Sequence, residues 1–172
     1  MEEVEIATNH EVGHVCLYLH FGYRIKNAMV EDDTGEVSIN SQSGAPASTW
    51  IISRLAGYVA ECYYQSIEPS FDEFMTCDPC YRDRSFMEQL SEEQVAAIEE
   101  SFDTCVTIII GVLQDHVVFV EALAAKLAEK GTLTGSQVHR LYVKYWWALE
   151  LAGLPQAELL DDSLCRPNKV GT

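Results

Sequence analysis

Residues 4–21 read VEIATNHEVGHVCLYLHF. Val4, Ala7, Val12, Val15, Cys16 and Leu19 recur at the three-and-four spacing of one helical face, and Gly22 supplies a stop. Inside that helix stands His10-Glu11-Val12-Gly13-His14, an H-E-x-x-H. Residues four apart project from the same helix face, one turn separated. Two imidazoles so placed can share one Zn²⁺ and leave room for a third ligand and a water. Glu11 is set off the shared ligand direction, yet it can reach that water and take its proton. With five His and 18 Glu in the chain, about 0.015 such motifs are expected by chance, so the match is informative. The competing reading is a solvated helix face that carries two histidines. Gly13, between the two, would let another element approach closely.

Outward from this helix, Ile25, Ala28 and Val30, then Val37 and Ile39, flank Asp32-Asp33-Thr34-Gly35. That pattern predicts two strands joined by a Gly-containing turn. Ser41 to Ala47 reads as a loop, and Ser48 or Thr49 as the cap of a second helix to about Gln65. Ser66 to Arg82 has no clean period. Helical patterning returns from Asp83 to Leu90, then from a capping-box start at Ser91-Glu92-Glu93-Gln94 to about Ile110. Val117 to Lys130 is a further helix closed by Gly131, and Thr134 or Gly135 caps one running Ser136 to about Leu151. The expected architecture is mainly α with a small β-hairpin or sheet after the first helix. One unit covers 1–155, and 156–172 forms a loosely held tail.

The chain has 172 residues, 48% of them hydrophobic and 22% charged, which suits one packed domain and excludes a disordered or fibrous one. Lys and Arg total 11 against 27 Asp and Glu, a formal charge of −16. So acidic a surface repels phosphate backbones and anionic lipids, so no nucleic-acid or membrane-surface partner is expected. The longest apolar stretch, Cys105 to Leu113, is far too short for the roughly 20 residues of a transmembrane helix. Six cysteines are too few for a disulfide scaffold of this length, and the N-terminus lacks a secretory signal. The expectation is a cytoplasmic protein with reduced thiols.

Thr8-Asn9-His10-Glu11-Val12-Gly13-His14-Val15 resembles the zinc motif of FtsH-type metallopeptidases. The resemblance extends in order along the chain. The strand pair follows the motif, Leu55-Ala56-Gly57-Tyr58-Val59-Ala60-Glu61 looks like the family's L-G-G-R-x-A-E helix, and residues 124–133, AAKLAEKGTL, are similar to its closing segment. It covers roughly residues 4 to 143. No G-x-x-x-x-G-K-[S/T] phosphate loop occurs in the sequence, so the expectation is a stand-alone, ATP-independent peptidase-domain homologue without the unfoldase or membrane anchor.

The family takes its third zinc ligand from an Asp opening the helix after the A-E helix. Asp83, followed by Phe86, Met87 and Leu90, is the better match; Asp78, followed by Pro79, is the alternative. Glu61 is either a ligand in place of the Asp, a residue that orients an imidazole N–H, or a helix-surface glutamate.

Cys77-Asp-Pro-Cys80 lacks a second C-x-x-C or a βαβ context and reads as a reduced loop pair, with metal capture a minor alternative. His20, His116 and His139 read as structural or surface histidines. Tyr142, Tyr145, Trp146 and Trp147 form an aromatic cluster suited to core packing. Because the family assembles into rings, a homo-oligomer contact there is the second reading.

These readings imply a zinc-dependent endopeptidase in which His10, His14 and Asp83 bind Zn²⁺ and Glu11 is the general base. Its substrate would be a peptide or unfolded protein, laid along the strand near Val37 to Ile39. The competing expectation is a non-catalytic FtsH-like metal-binding or regulatory protein, and a third is a metal-free helical interaction domain.

Overall fold

The apolar recurrence of the opening segment becomes helix α1 (Glu3–His20) in a computed structural model that describes residues 3–40, 46–77 and 80–146. α1 is not the half-exposed helix that its sequence suggests. Val12, Val15, Cys16 and Leu17 are fully buried, and Thr8, Asn9, His10, Glu11 and His14 are buried with them. A helix buried on every side is a central one. The polar residues that it takes inside need partners there, because unpaired buried polar groups are costly.

Strands β1 (Arg24–Glu31) and β2 (Thr34–Asn40) form the expected antiparallel hairpin, with Val30 opposite Gly35 and Glu31 opposite Thr34. The turn differs from the sequence expectation. It is Asp32-Asp33, with Asp32 in the left-handed region at φ 53°, a conformation that Asp tolerates better than most residues. Gly35 therefore belongs to β2, and its lack of a side chain serves another purpose, described below. A third strand, β3 (Thr132–Thr134), pairs antiparallel with β1 and places Leu133 opposite Ala28, so the sheet order is β2-β1-β3.

Helix α2 (Ala47–Gln65) starts at Pro46 without a side-chain cap, in place of the Ser48 or Thr49 cap expected. Those two residues are buried, and the Thr49 hydroxyl donates to the Pro46 carbonyl. α2 ends at Ser66 in the left-handed conformation, whose N–H closes onto the Cys62 and Tyr63 carbonyls. α1 and α2 cross closely. A Cβ on Gly13 would collide with the Ala56 carbonyl oxygen and sit 2.7 Å from the Ala60 Cβ. The close approach anticipated at Gly13 is this one.

The segment with no clean period is not all loop. Ser70 caps a short helix α3 (Phe71–Thr76) by accepting from the Glu73 N–H. Helix α4 (Tyr81–Arg84) follows and passes into a 3-10 turn over Ser85–Gln89. Asp83 is thus the third residue of its helix and not its opening one. Beyond it lie α5 (Glu92–Glu100), α6 (Phe102–Asp115), α7 (Val117–Lys130) and α8 (Gly135–Tyr145). The single helix expected from Ser91 to about Ile110 is broken at Ser101, where α5 gives way to α6. The capping boxes at Ser91–Gln94 and Thr134–Gln137 are both formed. α6 and α7 are bent by 83° at His116, and among the described residues no single helix is long and apolar enough to cross a membrane. The architecture is mainly helical with one small three-stranded antiparallel sheet.

Trp146 is fully buried. Its ring stacks on His116 at 3.3 Å and meets the Phe119 ring edge-on at 5.3 Å, so it belongs to this chain's own core. Trp147, the last part of the final expected helix and the tail over 156–172 lie outside the described residues.

Candidate metal centre

On α1 the four-residue spacing does what helix geometry requires. The Nε2 atoms of His10 and His14 lie 3.0 Å apart, with the two rings edge to face. α4 brings Asp83 to the same point, its Oδ2 2.8 Å from His10 Nε2 and 3.2 Å from His14 Nε2. All three residues are buried, and together they form a group that could hold a metal ion. Asp78, the alternative to Asp83, lies outside the described residues.

The outward nitrogens settle what the inward atoms are. His14 Nδ1 is 2.7 Å from the Ser53 carbonyl oxygen, which can only accept, so Nδ1 carries the proton and donates. His10 Nδ1 donates in the same way to Glu61 Oε1 at 2.6 Å. Glu61 is therefore the residue that orients an imidazole, and it does not sit among the ligand atoms. Neutral imidazoles so held present lone pairs at Nε2, and Asp83 adds a carboxylate oxygen. Three lone-pair donors that face one another at 2.8–3.2 Å repel unless a cation lies among them. The spacing suits a small divalent cation. Ligand bonds of about 2.0–2.1 Å in a tetrahedron place donor atoms about 3.3 Å apart.

Without a metal ion, a proton takes the cation's part. Burial alone would lower the His10 pKa, but hydrogen bonds to Asp83 and Glu61 outweigh it and hold it well above 6.5. Burial would raise Asp83, and the imidazoles of His14 and His10 overcome it and hold the carboxyl far below the usual range. Glu11 behaves differently. Burial pushes its pKa up, the imidazoles of His14 and His10 only partly pull it back, and the Asp83 and Glu36 carboxylates add to the rise. A carboxylate so tuned, beside a cation site, is suited to accepting and returning a proton.

The three residues open onto a cleft of about 570 Å³ that Glu11 also lines. Part of its wall is β2, over Thr34–Val37, and part is α4, with Tyr81 and Arg82. Two glycines make room for the site. A Cβ on Gly57 would collide with the His10 ring, and one on Gly35 would collide with the Glu11 side chain. Tyr18, one turn beyond His14, stacks on its ring at 6.2 Å and lines the same cleft.

The sequence reading leaves Ser53, Arg54 and Tyr18 unmentioned, and it takes Gly35 only as a turn residue and Gly57 only as part of a family-like segment. A signal for part of this set was present: Ser53, Gly57 and Glu61 recur every four residues and make a polar and small stripe along α2. The other singled-out residues stay apart from the centre. His116 is buried against Trp146, and exposed His139 stacks on Tyr142. Cys77 and Cys80 are free thiols; Cys80 is buried, and burial drives its pKa far above the ordinary thiol value, which keeps it unreactive.

A scan of the chain against protein-family models finds no match, and a search of curated proteins finds none either. The fold and the site together define a mainly helical protein with a His-His-Asp group that lines a cleft and could hold a metal ion.

Proposed function

We propose that this protein is a zinc-dependent endopeptidase of FtsH-like type. The observation that carries the reading is the set of three inward lone-pair donors, His10 Nε2, His14 Nε2 and Asp83 Oδ2, with Glu11 beside it in the same cleft. Two histidines and a carboxylate are a ligand set used by catalytic zinc sites, which keep a further position open. When bound, the ion supplies a Lewis acid that polarises a carbonyl and makes water acidic enough to attack at neutral pH.

The chain's own residues do the rest. Glu11 takes a proton from the attacking water and returns it to the leaving amine, a role its raised pKa suits. Ser53 and Glu61 hold the imidazoles in the tautomer that leaves Nε2 free. β2 is paired only with β1 among the described residues and lines the cleft, so its free edge can take an extended peptide by main-chain hydrogen bonds. An extended segment is what an unfolded protein or peptide offers, and the sequence holds no ATP-binding loop with which to unfold a substrate itself.

The test is hydrolysis of a peptide library and of unfolded casein by zinc-loaded protein, with and without a chelator. Cleavage that the chelator abolishes supports the reading. Glu11→Gln should keep its zinc and lose activity by about 10²- to 10⁴-fold. A zinc-loaded wild-type protein that cleaves nothing would instead leave a metal-binding protein without turnover.

A further inference from the structure

Helix α2 supplies a partner to each imidazole of the centre: the Ser53 carbonyl to His14 and the Glu61 carboxylate to His10. The third inward residue has an α2 partner too. Asp83 divides its two oxygens, turning Oδ2 to the imidazoles and Oδ1 to Nη1 of Arg54 at 3.4 Å. We propose that Arg54 is a positioning residue of the metal centre, which holds Oδ1 of Asp83 so that the carboxylate offers the ion a single oxygen, Oδ2. The inference rests on the zinc reading above.

A four-residue helix has too little backbone of its own to fix the direction of a side chain, so α4 needs tertiary contacts to aim Asp83. Arg54 is part of such a contact. Its guanidinium lies over the Trp50 ring at 4.9 Å, and Trp50 meets Phe86 edge-on at 4.7 Å. Phe86 belongs to the 3-10 turn that continues α4. Arg54–Asp83 and Trp50–Phe86 thus pin the segment to α2 at two points. A guanidinium only donates hydrogen bonds, so it occupies the Oδ1 lone pairs and competes with bidentate binding of the ion. It also brings a positive charge to a pocket that holds the Glu11, Glu61 and Asp83 carboxylates.

The test is zinc affinity, measured by competition with a chromophoric chelator, for wild type, Arg54→Gln and Arg54→Lys. Both replacements are long side chains that helices accept, at a position one-third exposed, and a thermal melt of the metal-free proteins checks that the fold is kept. Arg54→Gln is expected to bind zinc about 10- to 100-fold more weakly. Arg54→Lys is expected to recover part of that loss, because a point charge still reaches Oδ1. Equal affinity of Arg54→Gln and wild type overturns the inference. So does a loss in Arg54→Lys as large as in Arg54→Gln, which would assign Arg54 to packing on Trp50. A wild-type protein that takes up no zinc overturns the metal reading itself, and this inference with it.

Discussion

Glu61 and His10 are 51 residues apart in sequence, yet Oε1 of the first accepts from Nδ1 of the second at 2.6 Å. That bond leaves the His10 lone pair at Nε2, where Asp83 and His14 converge. Replacing Glu61 with Gln keeps an acceptor but removes the charge. Zinc affinity should fall about 10- to 100-fold while the helical circular dichroism is retained. Equilibrium dialysis against buffered zinc measures it, and unchanged affinity would mean that Glu61 does not tune the ligand.

The two glycines that make room for the site should separate metal binding from turnover. Gly57→Ala drives a methyl group into the His10 ring and should abolish stoichiometric zinc. Gly35→Ala meets the Glu11 side chain instead, so it should keep zinc and lose hydrolysis. Zinc content and peptide cleavage of the two variants, measured side by side, check the contrast. Similar loss of zinc in both would refute it.

The metal-free protein should lose stability as the solution becomes alkaline. His10 is held well above its unfolded value of about 6.5, so its contribution is fully present below that pH and disappears as pH rises through the folded value. Asp83 works at the other end. Its folded value is depressed, so its contribution is present above about 3.9 and fades only in strong acid. Thermal melts of chelated protein should show the alkaline fall, and zinc should remove it by replacing the proton. Zinc uptake at neutral pH should release about one proton in a weakly buffered dye assay.

Trp146 tests the packing around the last helices. Its buried ring stacks on His116, so Trp146→Ala should cost about 3–5 kcal/mol of stability. Urea unfolding followed by circular dichroism reads that cost. A loss below about 1 kcal/mol would be outside the range for a buried aromatic and would contradict the packing described.

Much of this fold could be read from local signals. Apolar spacing gave α1, α2 and α7, the Ser91–Gln94 box and a cap at Thr134 or Gly135 marked two helix starts, and the alternation around Asp32-Asp33 gave the hairpin. What escaped depends on distant partners. β3 is three residues long and exists because β1 offers it an edge more than a hundred positions earlier in the chain. α3 carries too few residues for a period, so it read as part of an irregular segment. Gly35 looked like turn chemistry because glycine is common in turns, whereas its role is to clear space for Glu11. At the site, the imidazole pair was legible because both members stand on one helix. Asp83 could be named only through the family resemblance, and Arg54 not at all, because nothing local ties residue 54 to residue 83.

The central claim is that His10, His14 and Asp83 jointly hold one zinc ion, and X-ray absorption at the zinc edge of purified protein tests it most directly. The account predicts one zinc per chain with only nitrogen and oxygen neighbours at about 2.0–2.1 Å and an imidazole signature. Sulfur neighbours at about 2.3 Å, which would assign the metal to the cysteines, or no bound zinc at all, would contradict it.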